Sequence, residues 1–251
     1  MSDIPADAAA ARAALDRLLA GAPAIAARLP AGFGDEAQRF VALLLEANLR
    51  TNLTRVTQPQ AVARLHLLDA LAALPLLDAW AAHTTIDLGS GGGLPAIPLA
   101  LARPEMRWTL VESVGKKATA LRDFVLALGM RNVTVLADRA EALGQDPQHR
   151  QQYSAVTARA CAPLPVLAEL ALPLLARGGF LLAWKGPLAE GDDEVRRGRI
   201  ALGELGGGGV EILDTGLTEL GGHRFVVARK ERPTPARFPR RPGEPSRRPL
   251  G

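Results

Sequence analysis

The residues best suited to chemistry lie between Asp87 and Glu112. Asp87 precedes a glycine run, Gly89-Ser90-Gly91-Gly92-Gly93, and Leu94 and Pro95 follow it at once. Glycine has no Cβ, so such a run brings backbone amides close to a ligand and tolerates φ > 0. Glu112 stands at the end of the next apolar run, Arg107-Trp108-Thr109-Leu110-Val111. An acidic side chain one strand–helix–strand unit beyond a glycine loop is placed to accept hydrogen bonds from ribose hydroxyls. Together these residues predict a site for a nucleoside-containing cofactor. The plain alternative is a glycine-rich turn that only connects two elements, and the position of Glu112 argues against it.

The order of the loop separates cofactor classes. It reads GxGGG and lacks the spacing that seats a pyrophosphate on a helix N-terminus. A loop led by an acidic residue suits S-adenosylmethionine, which has no phosphate but carries an ammonium and a carboxylate. Asp87, directly or through water, and the amides of Gly89, Gly91 and Gly93 can address those groups. Two more positions belong to the same crevice. The third strand leads into Asp138-Arg139-Ala140-Glu141, where the backbone of Ala140 and the side chain of Glu141 can meet an adenine; Asp138 serves equally well as a helix N-cap. The fourth strand ends at Arg159, whose charge must reach water or a partner, so a binding role is expected there.

These residues need a frame. Residues 6–82 read as helical, with apolar stripes at Phe40, Leu43, Leu44 and Ala47 and at Val62, Leu65, Leu68, Leu71 and Ala72. Between these stripes lies a polar turn, Asn52-Leu53-Thr54-Arg55. From Thr84 onward strands and helices alternate. Strands are expected at 85–88, 108–111, 133–136, 155–158, 180–184, 210–213 and 225–228, and helices at 95–102, 116–128, 164–175 and 192–205. Pro95 suits a first helical turn, where its missing N–H is not needed. The order predicts an α/β fold, a doubly wound sheet ending in an antiparallel hairpin with Gly221-Gly222 near its turn. Gly206 to Gly209 read as a flexible loop. The expected organisation is a helical N-terminal region at 1–82, a cofactor-binding domain at 83–230 and a basic proline-rich tail at 231–251.

Composition bounds the setting. The 251 residues suffice for a full α/β core with a modest extra region. Cys161 is the single cysteine, which predicts a reducing compartment. Asp3 and Asp7 argue against a signal peptide, and no uninterrupted apolar run reaches the length of a membrane span. A soluble, cytoplasmic monomer is expected. The net charge of +4 is uneven: from Lys230 onward seven basic side chains face two acidic ones, leaving the rest at −1. Arginines on a proline-rich segment that cannot form a helix suit phosphate contacts, and a solvated terminus without a role suits the composition equally.

Absences narrow the reaction. After the fourth strand, amino-group methylation of bases calls for an Asn/Asp-Pro-Pro-aromatic stretch. This chain holds Arg159-Ala160-Cys161-Ala162-Pro163 there. Cys161 lacks the Pro-Cys context of a pyrimidine methylation nucleophile. His66, His83, His149 and His223 show no metal-ligand spacing. His66 and Asp69 share a helix face, as a substrate contact or a local structural pair.

Several blocks occur in a fixed order: Asn52-Leu53-Thr54, His66-Leu67-Leu68-Asp69-Ala70, the stretch from Asp87 to Ala100, Glu112 to Phe124, Asp138-Arg139-Ala140-Glu141, Thr157-Ala158-Arg159-Ala160, Leu181 to Gly186, and Phe238-Pro239-Arg240-Arg241-Pro242-Gly243. In these blocks the chain, from about residue 36 to its tail, resembles the bacterial glucose-inhibited division protein B family of 16S rRNA guanine-N7 methyltransferases. The resemblance implies a Rossmann-like class I methyltransferase fold, S-adenosyl-L-methionine as donor, and a guanine in the 530 loop of 16S rRNA, or of a small-subunit precursor, as target. Carried over by motif, cofactor contacts fall on Gly89, Leu94, Ala140, Glu141 and Arg159. Ala96 departs from the pattern by one methyl where a glycine is usual. Guanine N7 carries a lone pair and no proton, so no catalytic acid, base or nucleophile is expected. Lys116, Lys117 and Lys185 are candidate phosphate contacts or plain solvated lysines. A small-molecule methyltransferase and a nicotinamide-dependent reductase remain the alternatives, the second disfavoured by the loop spacing.

Overall fold

The computed structural model describes residues 3–251. A seven-stranded sheet lies at its centre, with β1 (Thr84–Leu88), β2 (Arg107–Val111), β3 (Val133–Leu136), β4 (Tyr153–Arg159), β5 (Leu175–Lys185), β6 (Gly207–Asp214) and β7 (Arg224–Lys230) in the order β3-β2-β1-β4-β5-β7-β6. Only β7 runs antiparallel to its neighbours. The expected doubly wound sheet with a terminal hairpin is therefore present, and the order reverses between β1 and β4.

Alternation along the strands assigns each face. Trp108, Leu110, Phe180, Leu182, Trp184, Phe225 and Val227 join one apolar cluster. Val111, Leu181, Ala183, Val226 and Ala228 join the other. This is the period-two division a sheet buried on both faces requires. The first face is covered by α1 (Ile4–Ala20), α2 (Pro23–Ala26), α3 (Phe33–Thr51), α4 (Pro59–Val62), α5 (Asp69–Leu71), α6 (Leu74–Ala79), α7 (Ala96–Ala102) and α8 (Gly115–Ala127). The second is covered by α9 (Ala140–Gln145), α10 (Leu164–Ala171) and α11 (Asp193–Leu205). The N-terminal helices share one core with the sheet: Phe40 of α3 meets Phe124 of α8 edge-on, with ring centroids 6.0 Å apart.

Between α4 and α5 the chain passes through a π-helical stretch, Ala63–Leu68. The whole run Pro59–Ala79 spans 21 residues and by length and composition could cross a bilayer, although Arg64, His66 and Asp69 interrupt its apolar sequence. Two thirds of it (67%) is buried inside the molecule, so its apolar surface is already covered by the core.

Two expectations fail. Gly207, Gly208 and Gly209 are the start of β6, not a loop; Gly207 pairs with Lys230, and the register slips before Val210. A partner strand supplied by the tertiary fold overrides the weak strand propensity of glycine. The tail is neither extended nor helix-free. It folds back over α9 and α10 and contains a short helix, α12 (Glu244–Arg247), with Pro245 in its first turn. Phe238 enters the second core, and Lys230 is 1% exposed, its ammonium donating to the Leu172 carbonyl and Thr234 Oγ1.

Candidate active site

The site lies where the carboxyl ends of β1, β2, β3 and β4 open next to the strand-order reversal, the usual crevice of an open α/β sheet. Asp87 sits between Leu110 of β2 and Thr157 of β4 in register. Its side chain is fully buried, with Oδ1 accepting from Thr157 Oγ1 at 2.7 Å. Oδ2 has no hydrogen-bond partner. Desolvation pushes the carboxyl up to about 6, against the opposing Thr157 hydrogen bond and Arg159 charge. A buried carboxylate oxygen without a donor is the kind of group a cationic ligand satisfies.

The glycine loop turns directly above. Gly89 and Ser90 donate to the Val111 carbonyl at 2.9 and 3.0 Å, and Gly93 donates to the Ser90 carbonyl at 2.7 Å. Gly89 has φ +68°, and a Cβ there would stand 3.1 Å from Cys161 Sγ. Glycine is therefore favoured here by its backbone, and a side chain would also crowd Cys161. Gly92 is crowded from the helical layer, since a Cβ would approach Leu44 Cδ1 to 2.9 Å and Leu53 Cβ to 3.3 Å. The N-terminal helices thus roof the loop. Leu94 points into the first core and donates to Ser90 from its amide.

Glu112 stands at the tip of β2, as its place in the sequence suggested. Its Oε2 accepts from the Gly91 amide at 3.0 Å and its Oε1 from the Val114 amide at 2.8 Å. The acidic residue therefore shapes the loop it faces, and each carboxylate oxygen keeps acceptor capacity for a hydroxyl. Ala140 and Glu141 open α9 beside it. The cap residue is Arg139; Asp138 Oδ1 accepts the Arg139 amide at 2.7 Å instead of capping the helix. Glu141 is buried, and its Oε1 accepts from the Gly243 amide of the tail at 2.7 Å.

Arg159 closes the β4 side. Its Nη1 donates to Asp69 Oδ2 and to the Leu65 carbonyl, both at 2.8 Å. Asp69 also accepts from His223 Nδ1 at 2.8 Å, and its carbonyl accepts from Trp184 Nε1 at 2.8 Å. His66 and Asp69, adjacent on one helix, are thus not partners of each other. His66 Nε2 lies 2.7 Å from Thr54 Oγ1, and burial, with Arg159 adding to it, lowers the imidazole to about 4. The Asp69 hub was not legible in sequence, because its partners Arg159, Trp184 and His223 come from three separate segments. The positive φ of Ala160, +52°, turns the chain away after Arg159.

Cys161 is exposed at the crevice, and desolvation together with Asp87, Glu112 and Glu141 pushes its thiol up to about 11. It is unsuited to nucleophilic attack near neutrality. Lys185 donates to Glu194 at 2.6 Å and to the Ala162 carbonyl at 3.0 Å, so it is committed within the fold. Lys116 is exposed and Lys117 half-buried at the start of α8.

A parallel sheet ended by an antiparallel hairpin, with an acid-led glycine loop at β1 and a carboxylate at β2, defines a class I methyltransferase. Residues 34–205 match the GidB family, rRNA small subunit methyltransferase G. The chain belongs to this family and is an S-adenosylmethionine-dependent methyltransferase. It is 46% identical over 213 residues to the ribosomal RNA small subunit methyltransferase G of Deinococcus radiodurans, covering 84% of this chain and 83% of that one. It is 45% identical over 238 residues to the protein of that name from Roseiflexus castenholzii, covering 94% and 100%. Human N-acetylserotonin methyltransferase bound to S-adenosylmethionine shares the fold, with a TM-score of 0.51 at 14% identity over 78% of this chain and 57% of that one.

Proposed function

We propose that this enzyme methylates N7 of a guanine in the 530 loop of 16S rRNA, within the free RNA or a small-subunit precursor. The observation that carries the reading is the family match over the cofactor domain, joined to a crevice cysteine, Cys161, whose raised thiol is unsuited to nucleophilic attack. A guanine N7 has an in-plane lone pair and no proton, so positioning and desolvation suffice.

In this reading the orphaned Asp87 Oδ2 meets the ammonium of the cofactor. The turn at Gly89, Gly91 and Gly93, with the backbone of Leu94, accommodates the methionine part. Glu112 accepts the ribose hydroxyls through the capacity left by its two amide bonds. The free N–H of Ala140 and the side chain of Glu141 face the adenine. Arg159, anchored through Nη1, uses its remaining donors at the reacting end. When bound, the cofactor supplies an electrophilic methyl on a sulfonium; the chain's task is to align it and to exclude water. Residues 1–82 act as the roof, 83–230 as the cofactor domain and 231–251 as a strap. The enzyme works as a cytoplasmic monomer.

The test is mass mapping of 16S rRNA from cells that lack the gene, with and without its return on a plasmid. An N7-methylguanine in the 530 loop that depends on the gene supports the reading. Unchanged rRNA, with methylation appearing on a small molecule, replaces it with the runner-up.

A further inference from the structure

The C-terminal strap, through its Phe238–Gly243 block, reaches the cofactor crevice by a chain of contacts. Its Gly243 amide holds Glu141 Oε1 at 2.7 Å, at the very start of α9. Its Arg240 is clamped on Glu169 of α10, which is 0% exposed: the Arg240 amide and Nε donate to Oε1 at 2.8 and 2.9 Å, and Nη2 donates to Oε2 at 2.5 Å. Along α9 the strap lies flush. Gln145 Nε2 donates to the Pro239 carbonyl at 2.8 Å, and a Cβ on Gly144 would stand 2.7 Å from Pro239 Cγ. Arg150, just beyond α9, ties both sides by donating to the Gly144 and Phe238 carbonyls at 2.6 and 2.7 Å. Helix α9 has only six residues, too few to hold its own position.

We propose that Arg240, through its clamp on Glu169, is a positioning residue that sets α9 and the Glu141 carboxylate against the adenine of the cofactor. The physical reason is the sequence of rigid steps. Glu169 is buried and cannot relax toward water, so its bidentate partner is fixed in place. Three residues later the strap presents the Gly243 amide, whose position follows from the clamp. That amide fixes the rotamer of Glu141, and Glu141 flanks the first free N–H of the helix. The tail of the chain is thereby a wall of the cofactor site, though it lies more than a hundred residues beyond the glycine loop. This inference rests on the reading that Ala140 and Glu141 face the adenine.

The experiment compares binding of S-adenosylhomocysteine by isothermal titration to the full-length chain and to Glu141→Gln, Arg240→Lys and the Arg240→Gln/Glu169→Gln pair. The double substitution removes both charges, so no buried carboxylate is left alone. The expected result is a Kd raised about fivefold in the double variant, the effect of one lost hydrogen bond. Arg240→Lys should recover part of the loss, and KM for the methyl donor should rise while kcat stays near that of the unaltered enzyme. A lowered Tm with unchanged Kd in both Arg240 variants assigns the clamp to stability alone and overturns the proposal. If Glu141→Gln binds as tightly as the unaltered protein, the adenine reading itself falls and takes this inference with it. Weaker binding in Glu141→Gln beside normal binding in the Arg240 variants retires the inference alone.

Discussion

Arg159 Nη1 and Asp69 Oδ2 stand 2.8 Å apart, and this pair fastens the tip of β4 to the helical roof. Asp69 is 2% exposed, and the same carboxylate holds His223 at the head of β7. Three parts of the chain separated by ninety and sixty-four positions therefore meet on one side chain. Asp69→Ala should destabilise the protein by about 3 kcal/mol, because it leaves a partly buried guanidinium without its counter-charge. Urea denaturation reads the change directly. A midpoint equal to that of the unaltered protein would reduce the hub to a bystander.

Gly89→Val should abolish cofactor binding in a chain that still folds. The φ of +68° is strained for any β-branched residue, and the added Cβ would press on Cys161 Sγ across the crevice. Titration with S-adenosylhomocysteine, paired with circular dichroism, checks both halves. Normal affinity in the folded variant contradicts the placement of the methionine part at this turn.

Glu112→Ala should weaken S-adenosylhomocysteine binding by about 2 kcal/mol, the scale of a charge-assisted hydrogen-bonding site. The loss has two sources. The ribose acceptor disappears, and the Gly91 and Val114 amides lose the carboxylate that shapes the loop. Glu112→Gln keeps one amide acceptor and should lose less. Equal affinity across the three proteins would place the ribose elsewhere.

Cofactor affinity should rise with pH. The Asp87 carboxyl is pushed up to about 6 from an ordinary 3.8. Between those values the folded chain keeps a proton that the unfolded chain gives up, so this contribution to stability falls as pH rises through the window. His66 runs the other way: lowered to about 4 from 6.5, it refuses a proton the unfolded chain takes, and its contribution grows with pH. The two oppose each other, which makes denaturation a poor reporter. Ligand binding separates them, because an ammonium beside Asp87 favours the charged carboxylate. Affinity for S-adenosylhomocysteine should climb from about pH 5 to about pH 7.5 and be flat over that range in Asp87→Asn. A flat profile in the unaltered protein would show that Asp87 does not meet the ammonium.

Removing the tail after Glu231 should cost the fold itself. Glu169 would be left as a buried charge without Arg240, at about 3 to 5 kcal/mol, and Phe238 would leave the second core. Thermal unfolding and soluble yield measure this. A truncated chain as stable as the full one would return the tail to the status of a solvated terminus.

Much of this protein is written locally. The strand and helix alternation from Thr84 onward follows apolar periodicity, and β3 begins and ends where the Val133–Leu136 run does. The glycine loop and Glu112 could be placed because their spacing in sequence fixes their spacing across one strand–helix–strand unit. The roles left open were those of charged residues. Lys185, Arg240 and Lys230 read equally as phosphate contacts or as solvated cations, yet each is absorbed by the fold, on Glu194, on Glu169 and on the Leu172 carbonyl. The tail was legible as proline-rich and basic but not as docked, because docking depends on a groove between α9 and α10 that exists only once the sheet is wound. The glycines of β6 hid their strand for the same reason: pairing with β7 comes from the hairpin and not from their own propensity. Sequence determined what is fixed by neighbours in the chain, the strands, the loop and the family. Tertiary structure decided which charges are spent inside the molecule, since a charge finds its partner through space and its cost through burial.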